Sequence, residues 1–356
     1  MQVGSRIDFF DVAGIEQLRQ MLRLDPQSVR RLRNRLLKRF LSDADTLQMF
    51  PASERLRIHS LSLFRRLDSE VDGASKLLFR TESDLLIEAV ILRIATGRSS
   101  LCVSSQVGCA AACDFCATGR MGISRNLTAS EILDQVVQAG QVLASERRRL
   151  SNIVFMGMGE PFHNETAVHE AVELLTRSDF FDRSPGSLLI STVGITDAML
   201  RFALRFPRVN LALSLHSVRQ DVRSQIIPLA SRYPIEVLRE TIQEINAIQG
   251  CSLMLEYLML DGINDSEADA AELADWADGL NVHINLIPYN AVAEAAHLHG
   301  SPPSAVQSFS EFLKRKGFRT TTRYSLGSDI DAACGQLVRL ENRRRAMAQQ
   351  GDARST

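Results

Sequence analysis

Cys109, Cys113 and Cys116 stand in the spacing C-x3-C-x2-C, and with Cys102 they place four of the chain's six cysteines within 15 residues. Disulfide scaffolding would explain such density only in a small secreted protein, so in a chain of 356 residues metal binding or catalysis is the better reading. Thiolates favour soft ions: zinc, copper(I), or iron in sulfide clusters. A structural zinc takes four ligands, normally as two C-x2-C pairs or as cysteine with histidine, whereas this loop offers three with an uneven gap. Zinc is therefore the weaker fit. Three thiolates from one short loop suit three irons of a [4Fe-4S] cube, with the fourth iron left without a protein ligand.

An open iron invites a chelating substrate. The amino and carboxylate groups of S-adenosylmethionine would fill that place, and an electron from the cluster would then cleave the sulfonium to a 5′-deoxyadenosyl radical. C-x3-C-x2-C near the start of an α/β barrel resembles the signature of the radical S-adenosylmethionine superfamily. Other unusual residues lie where loops follow strands: GMGEP (157–161), STVG (191–194), SLHS (214–217), DGIND (261–265) and PYN (288–290). Gly157 and Gly159 permit close backbone approach, and Glu160 is placed to hold a ribose or an ammonium group. Ser191, Ser214, His216 and Asn290, with Leu215 in the same run, complete the expected adenosylmethionine contacts. Taken singly, each has a blander reading, as a tight glycine turn, a surface Glu or a structural histidine.

An isolated cysteine is ordinarily a small buried apolar residue, which suits Cys251 among Leu and Met. Cys334 differs, because Asp329, Asp331 and Gly335 make its surroundings too polar for a simple core position, and a reactive thiol is expected there.

The elements that must position these residues change character along the chain. Residues 1–80 read as a small helical module, since QLRQMLRL, VRRLRNRLLKRFL and RLRIHSLSLFRRL carry leucines at three- and four-residue spacing with Arg between them. Six of the ten residues from Arg30 to Arg39 are basic, and Arg147–Arg149 and Arg343–Arg345 form further triplets; these fit either solvated helix faces or contacts to phosphate. From about residue 85, β-rich runs alternate with amphipathic helices: 87–94, 101–105, 152–156, 187–192, 209–215, 253–260, 282–288 and 318–323 read as strands. Thr128 with Glu131 forms a capping box, and Ser266 opens another helix. The expected fold is α/β, a partial (β/α)6 barrel over 81–328, with the helical module before it and a C-terminal segment, 329–356, carrying Cys334 and a basic tail. A net charge of -1 argues against a wholly polyanion-binding surface. No apolar run nears the roughly 18 residues of a membrane span, and the first residues do not read as a secretory signal, so a cytoplasmic protein is expected.

CVSSQVGCAAACDFCATG, MGMGEP, SLHS, the LIPYN run and DIDAACGQL together resemble, in order and spacing, the radical S-adenosylmethionine RNA methyltransferases of the RlmN/Cfr family, over about residues 85–340. STVG and SLHS look closer to the Cfr-like arm. The resemblance implies methylation of an electron-poor adenine carbon, C-2 or C-8, in 23S ribosomal RNA or in tRNA, with a [4Fe-4S] cluster, two adenosylmethionines per turnover and an external electron donor. It makes Cys334 the methyl carrier as S-methylcysteine, Cys102 its partner in a transient disulfide, and Glu88 the proton acceptor, although a Glu at a strand start ordinarily faces solvent. A monomer with no membrane partner is expected. Two other classes remain open on the residues alone: a [4Fe-4S] redox or structural protein with an inert Cys334, and a radical enzyme acting on a small molecule or peptide.

Overall fold

A computed structural model describes residues 6–94, 96–333 and 335–337. Cys334 and the Arg343–Arg345 triplet lie outside the described residues.

The chain opens with β1 (Ile7–Asp8), α1 (Val12–Met21), α2 (Pro26–Arg33), a π-helical turn over Asn34–Lys38, α3 (Asp43–Leu47) and β2 (Leu56–Arg57), which pairs parallel with β1. Asp11, Asp25 and Ser42 accept backbone N–H groups at the three helix starts. Leu18, Leu32, Leu36 and Leu37 face inward and join the same hydrophobic core as the central sheet. Phe40 packs directly on Gly140, where a Cβ would stand 2.3 Å from the ring. The helical expectation fails for RLRIHSLSLFRRL, residues 55–67. This segment contributes β2 and then β3 (Ser62–Asp68), which pairs antiparallel with β4 (Ala74–Arg80). Short apolar runs are ambiguous between the two periods, and here strand pairing decides. β3 is an exposed sheet edge, and its charged Arg65, Arg66 and Asp68 oppose pairing with another chain.

The ten-stranded sheet continues through β5 (Leu86–Arg93) and β6 (Ser99–Cys102), both antiparallel to their predecessors. From β6 onward the pairing is parallel: β9 (Leu150–Phe155), β10 (Leu188–Thr192), β11 (Asn210–Ser214), β12 (Leu253–Met259), β13 (Val282–Pro288) and β14 (Arg319–Thr322) follow in spatial order. Between them run α5 (Ala129–Ser145), α6 (Glu165–Thr176), α7 (Thr196–Arg205), α8 (Gln220–Ile226) with α9 (Ile235–Ile248), α10 (Glu267–Ala277) and α11 (Pro303–Arg315). Apart from the edge strand β14, these parallel strands are largely covered on both faces and so read as nearly continuous apolar runs. The expected capping box forms at Thr128/Glu131, and Ser266 caps the helix it was expected to open, where Asp269 completes a second box. This is the expected α/β architecture, with the sheet open: its end strands β3 and β14 are not paired with each other. Among the described residues no helix is long and apolar enough to cross a membrane.

Candidate active site

The cysteine loop is the tip of a hairpin inserted after β6, formed by β7 (Gln106–Cys109) and β8 (Gly122–Asn126) with the single turn α4 (Ala117–Arg120) between them. Cys109 ends β7 and Cys116 precedes α4. Gly108 sits at the register shift with φ 84°, where a Cβ would stand 2.0 Å from the Gly122 carbonyl oxygen. Cys109 and Cys113 are buried and Cys116 half-buried, in an apolar cluster with Val193, Ile226, Leu258 and Ile287. Burial pushes the Cys109 thiol up to about 12 and raises Cys113 and Cys116 too; for Cys109 and Cys113, neighbouring cysteines add to the effect. Opposing this, the Ala111 N–H donates to Cys109 Sγ at 3.4 Å, and the Thr118 and Gly119 amides favour a charged Cys116.

Thiols that interact with one another, walled by apolar groups and met by amide donors, fit iron ligation, because the metal supplies the positive charge that draws off their protons. Among the described residues no three His, Cys, Asp or Glu side chains converge on a single ion.

At the carboxyl ends of β9 to β12 the expected contact residues form two carboxylate-centred groups. Glu160 is buried; its oxygens accept from Phe162 N (3.1 Å), Thr192 Oγ1 (2.7 Å) and Val193 N (2.9 Å), while burial pushes its carboxyl up to about 7. Gly159, at φ 106°, lies against Gln106, so its missing Cβ is used for packing within the protein. Glu256 of β12 accepts from Ser191 Oγ at 2.6 Å and from Ser214 Oγ at 3.4 Å. Sequence reasoning missed Glu256, yet LMLEYLML advertises it: one acid in an otherwise apolar strand needs polar company. Leu215 is fully buried. His216 is buried at φ 61°, and its Nδ1 accepts from Leu258 N at 3.1 Å, which leaves the proton on Nε2. Burial and the nearby Arg223 charge lower it to about 3, so the ring is neutral, edge-on to Phe115 of the cysteine loop. Asn264 of the DGIND loop fixes this bend by donating to the His216 and Leu258 carbonyls at 2.6 and 2.7 Å.

A second compartment adjoins the first. A cavity of about 320 Å³ is lined by Val90, Cys102, Met156, Arg323, Tyr324 and Ala333, with Leu337 beyond. Cys102 is half-buried, and its thiol is pushed up to about 11 by burial, with the Glu256 charge adding to the shift while Arg323 and the Met156 N–H oppose it. Glu88 is not at the surface: it lies mid-strand on β5, 1% exposed, two residues from the Val90 that pairs with Cys102. Lys76 Nζ lies 3.6 Å from Glu88 and donates to the Asp331 carbonyl at 3.1 Å. Asn290 donates to Ser325 Oγ at 2.9 Å, and Ser325 lines the cavity. The segment around position 334 touches both compartments, since Ala333 lines the cavity and Ala117 N donates to the Gly335 carbonyl at 2.7 Å beside Cys116. Cys251, expected as a small buried apolar residue, lies half-buried in the bend before β12.

The Radical SAM superfamily matches residues 103–274. A probable RNA methyltransferase of Rhodopirellula baltica is 60% identical over 341 residues, covering 96% of this chain and 90% of that protein. A probable dual-specificity RNA methyltransferase RlmN of Thermus thermophilus is 41% identical over 282 residues, 79% of each chain. The crystal structure of a radical SAM methyltransferase from Sphaerobacter thermophilus superposes with a TM-score of 0.87 at 36% identity, covering 94% of this chain and 99% of that one. At these identities and coverages the chain belongs to the RlmN-type family of radical SAM RNA methyltransferases.

Proposed function

We propose that this protein methylates an adenine carbon, C-2 or C-8, in 23S ribosomal RNA or tRNA, using a methyl carried on Cys334 and a transient disulfide between Cys334 and Cys102. The observation that carries this reading is the contact of the 331–337 segment with both compartments: Ala333 shares a cavity with Cys102, and Gly335 is bonded to the cysteine loop. A merely redox or structural cluster protein has no use for a cysteine whose two chain neighbours, Ala333 and Gly335, reach both compartments.

Cys109, Cys113 and Cys116 would hold the cluster, and Glu160, Ser191, Ser214, Leu215, His216 and Asn290 with Gly159 would surround adenosylmethionine. When bound, these groups supply an electron from an external donor and a 5′-deoxyadenosyl radical that takes hydrogen from the Cys334 methyl, itself delivered from a first adenosylmethionine. The chain's own residues do the rest. The Cys334 methylene radical would add to the base carbon; the adduct would give one electron back to the oxidised cluster and its proton to Glu88, which lies 3.6 Å from Lys76 Nζ. The Cys102 thiolate then attacks the Cys334 sulfur. The sulfur–carbon bond breaks with its pair passing to carbon, which takes a proton, and the disulfide awaits reduction. Such a substrate fits work in the cytoplasm.

Mass spectrometry of ribosomal and transfer RNA from cells with and without the protein should reveal one methyladenosine that depends on it. Cys102→Ala should accumulate a covalent protein–RNA species that disappears when Cys334→Ala is added. Free methylated RNA released at the normal rate by Cys102→Ala would refute the disulfide route.

A further inference from the structure

Arg223, on α8, is 0% exposed, and among the described residues no carboxylate pairs with it. Its Nε donates to the Leu215 carbonyl (3.1 Å), and its Nη2 to those of Val193 (2.6 Å) and Ser214 (3.4 Å). Its buried Nη1 has no hydrogen-bond partner among the described residues. Three carbonyl dipoles do not neutralise a guanidinium, and a charge left so in a protein interior is costly. Val193, whose carbonyl Arg223 holds, packs in one cluster with Cys109 and Cys113, and the Asp114 N–H of the cysteine loop donates to the Ile226 carbonyl of α8 at 2.9 Å, so the guanidinium is held against the cysteine loop. Iron-bound thiolates there would give it the counter-charge it lacks.

We propose that Arg223 is the buried counter-charge of the cysteine loop, offsetting the negative charge that Cys113 and its partners acquire on binding iron and thereby raising the cluster's reduction potential. The inference rests on the cluster reading above. Reduction adds a further negative charge beside a fixed positive one, so the guanidinium favours the reduced form. Arg223 touches no reacting atom; it is a positioning residue acting through the ligand field of its neighbours.

The test is anaerobic reconstitution of wild type, Arg223→Met and Arg223→Lys, followed by redox titration without adenosylmethionine. Arg223→Met should shift the reduction equilibrium at least tenfold toward the oxidised form, about 59 mV for one electron, and Arg223→Lys should recover most of it. Iron-free Arg223→Met should unfold no more easily than iron-free wild type, because the uncompensated charge has gone. Loss of iron in the Met variant with retention in the Lys variant supports the proposal; loss in both, with folded apoproteins, overturns it. A wild-type potential in Arg223→Met also overturns it, and weaker adenosylmethionine binding alongside would assign the guanidinium to that ligand's carboxylate. A wild type that forms no iron–sulfur absorption overturns the parent cluster reading, and the inference with it.

Discussion

If Cys102 releases the product as a thiolate, its burial sets the pace of that step. With the thiol pushed up to about 11, only about one molecule in ten thousand is ionised at pH 7, against a few per cent for an ordinary thiol. The more basic thiolate is intrinsically the better nucleophile, which recovers roughly tenfold of the deficit, so release is roughly thirtyfold slower than from an unperturbed cysteine. The sign with pH follows: each unit of rising pH multiplies the thiolate tenfold until the raised value is reached, so release should accelerate about a hundredfold from pH 7 to 9. The assay is a rapid-quench single turnover in which decay of the covalent protein–RNA band is followed at each pH. Arg323→Met should displace the profile to slower release without changing its slope, since Arg323 is the nearby charge favouring the thiolate. A profile that flattens by pH 9 would show that burial does not control Cys102, and release independent of pH would show that another group attacks.

Replacing any of Cys109, Cys113 or Cys116 by Ala should abolish iron–sulfur absorption on anaerobic reconstitution, and persistence of iron and sulfide in the triple variant would remove the basis of the cluster reading. His59 ties the N-terminal module to α5, with Nδ1 2.6 Å from the buried Asp134 and Nε2 2.9 Å from Asp43. Burial lowers its pKa, but the two carboxylates outweigh this and raise it to about 10. The stabilisation is therefore complete below the ordinary imidazole value and lost as pH rises through about 10. His59→Gln should cost about 3 kcal/mol in urea denaturation at pH 7, and much less above pH 10; an equal cost at both would exclude an ion pair.

Much of the parallel sheet was legible because strands buried on both faces must be apolar throughout, and NLALS, LLIST and VHINLIP have few other ways to fold. The cysteine spacing and the loops at the strand ends were legible for a different reason, since thiols and glycines at those intervals are poor packing choices. What local pattern concealed was whatever long-range pairing decides. Arg55–Leu67 carries leucines that suit a helix, and only its partner across the sheet makes Ser62–Asp68 a strand. Glu88 was named as proton acceptor only through the resemblance; its own surroundings suggest a surface acid, because nothing nearby in sequence announces Lys76, which reaches it from the neighbouring strand. Arg223 was equally silent: an Arg in a short amphipathic helix ordinarily faces water.

The antiparallel ladder from β3 to β6 bears on how this enzyme can be divided. Lys76 is on β4, Glu88 on β5 and Cys102 on β6, so three groups proposed for chemistry sit on successive rungs of a sheet whose outer half arrives with the N-terminal segment. The accessory region is thus no detachable adaptor. A truncation or graft made at residue 80 would strip β4 from β5, uncover Glu88 and remove its ammonium neighbour even with every cluster ligand intact. Domain exchange between relatives with different RNA targets must carry the strands together with the helices, so that a change of target and a retuning of the proton-accepting step would be inherited as one unit.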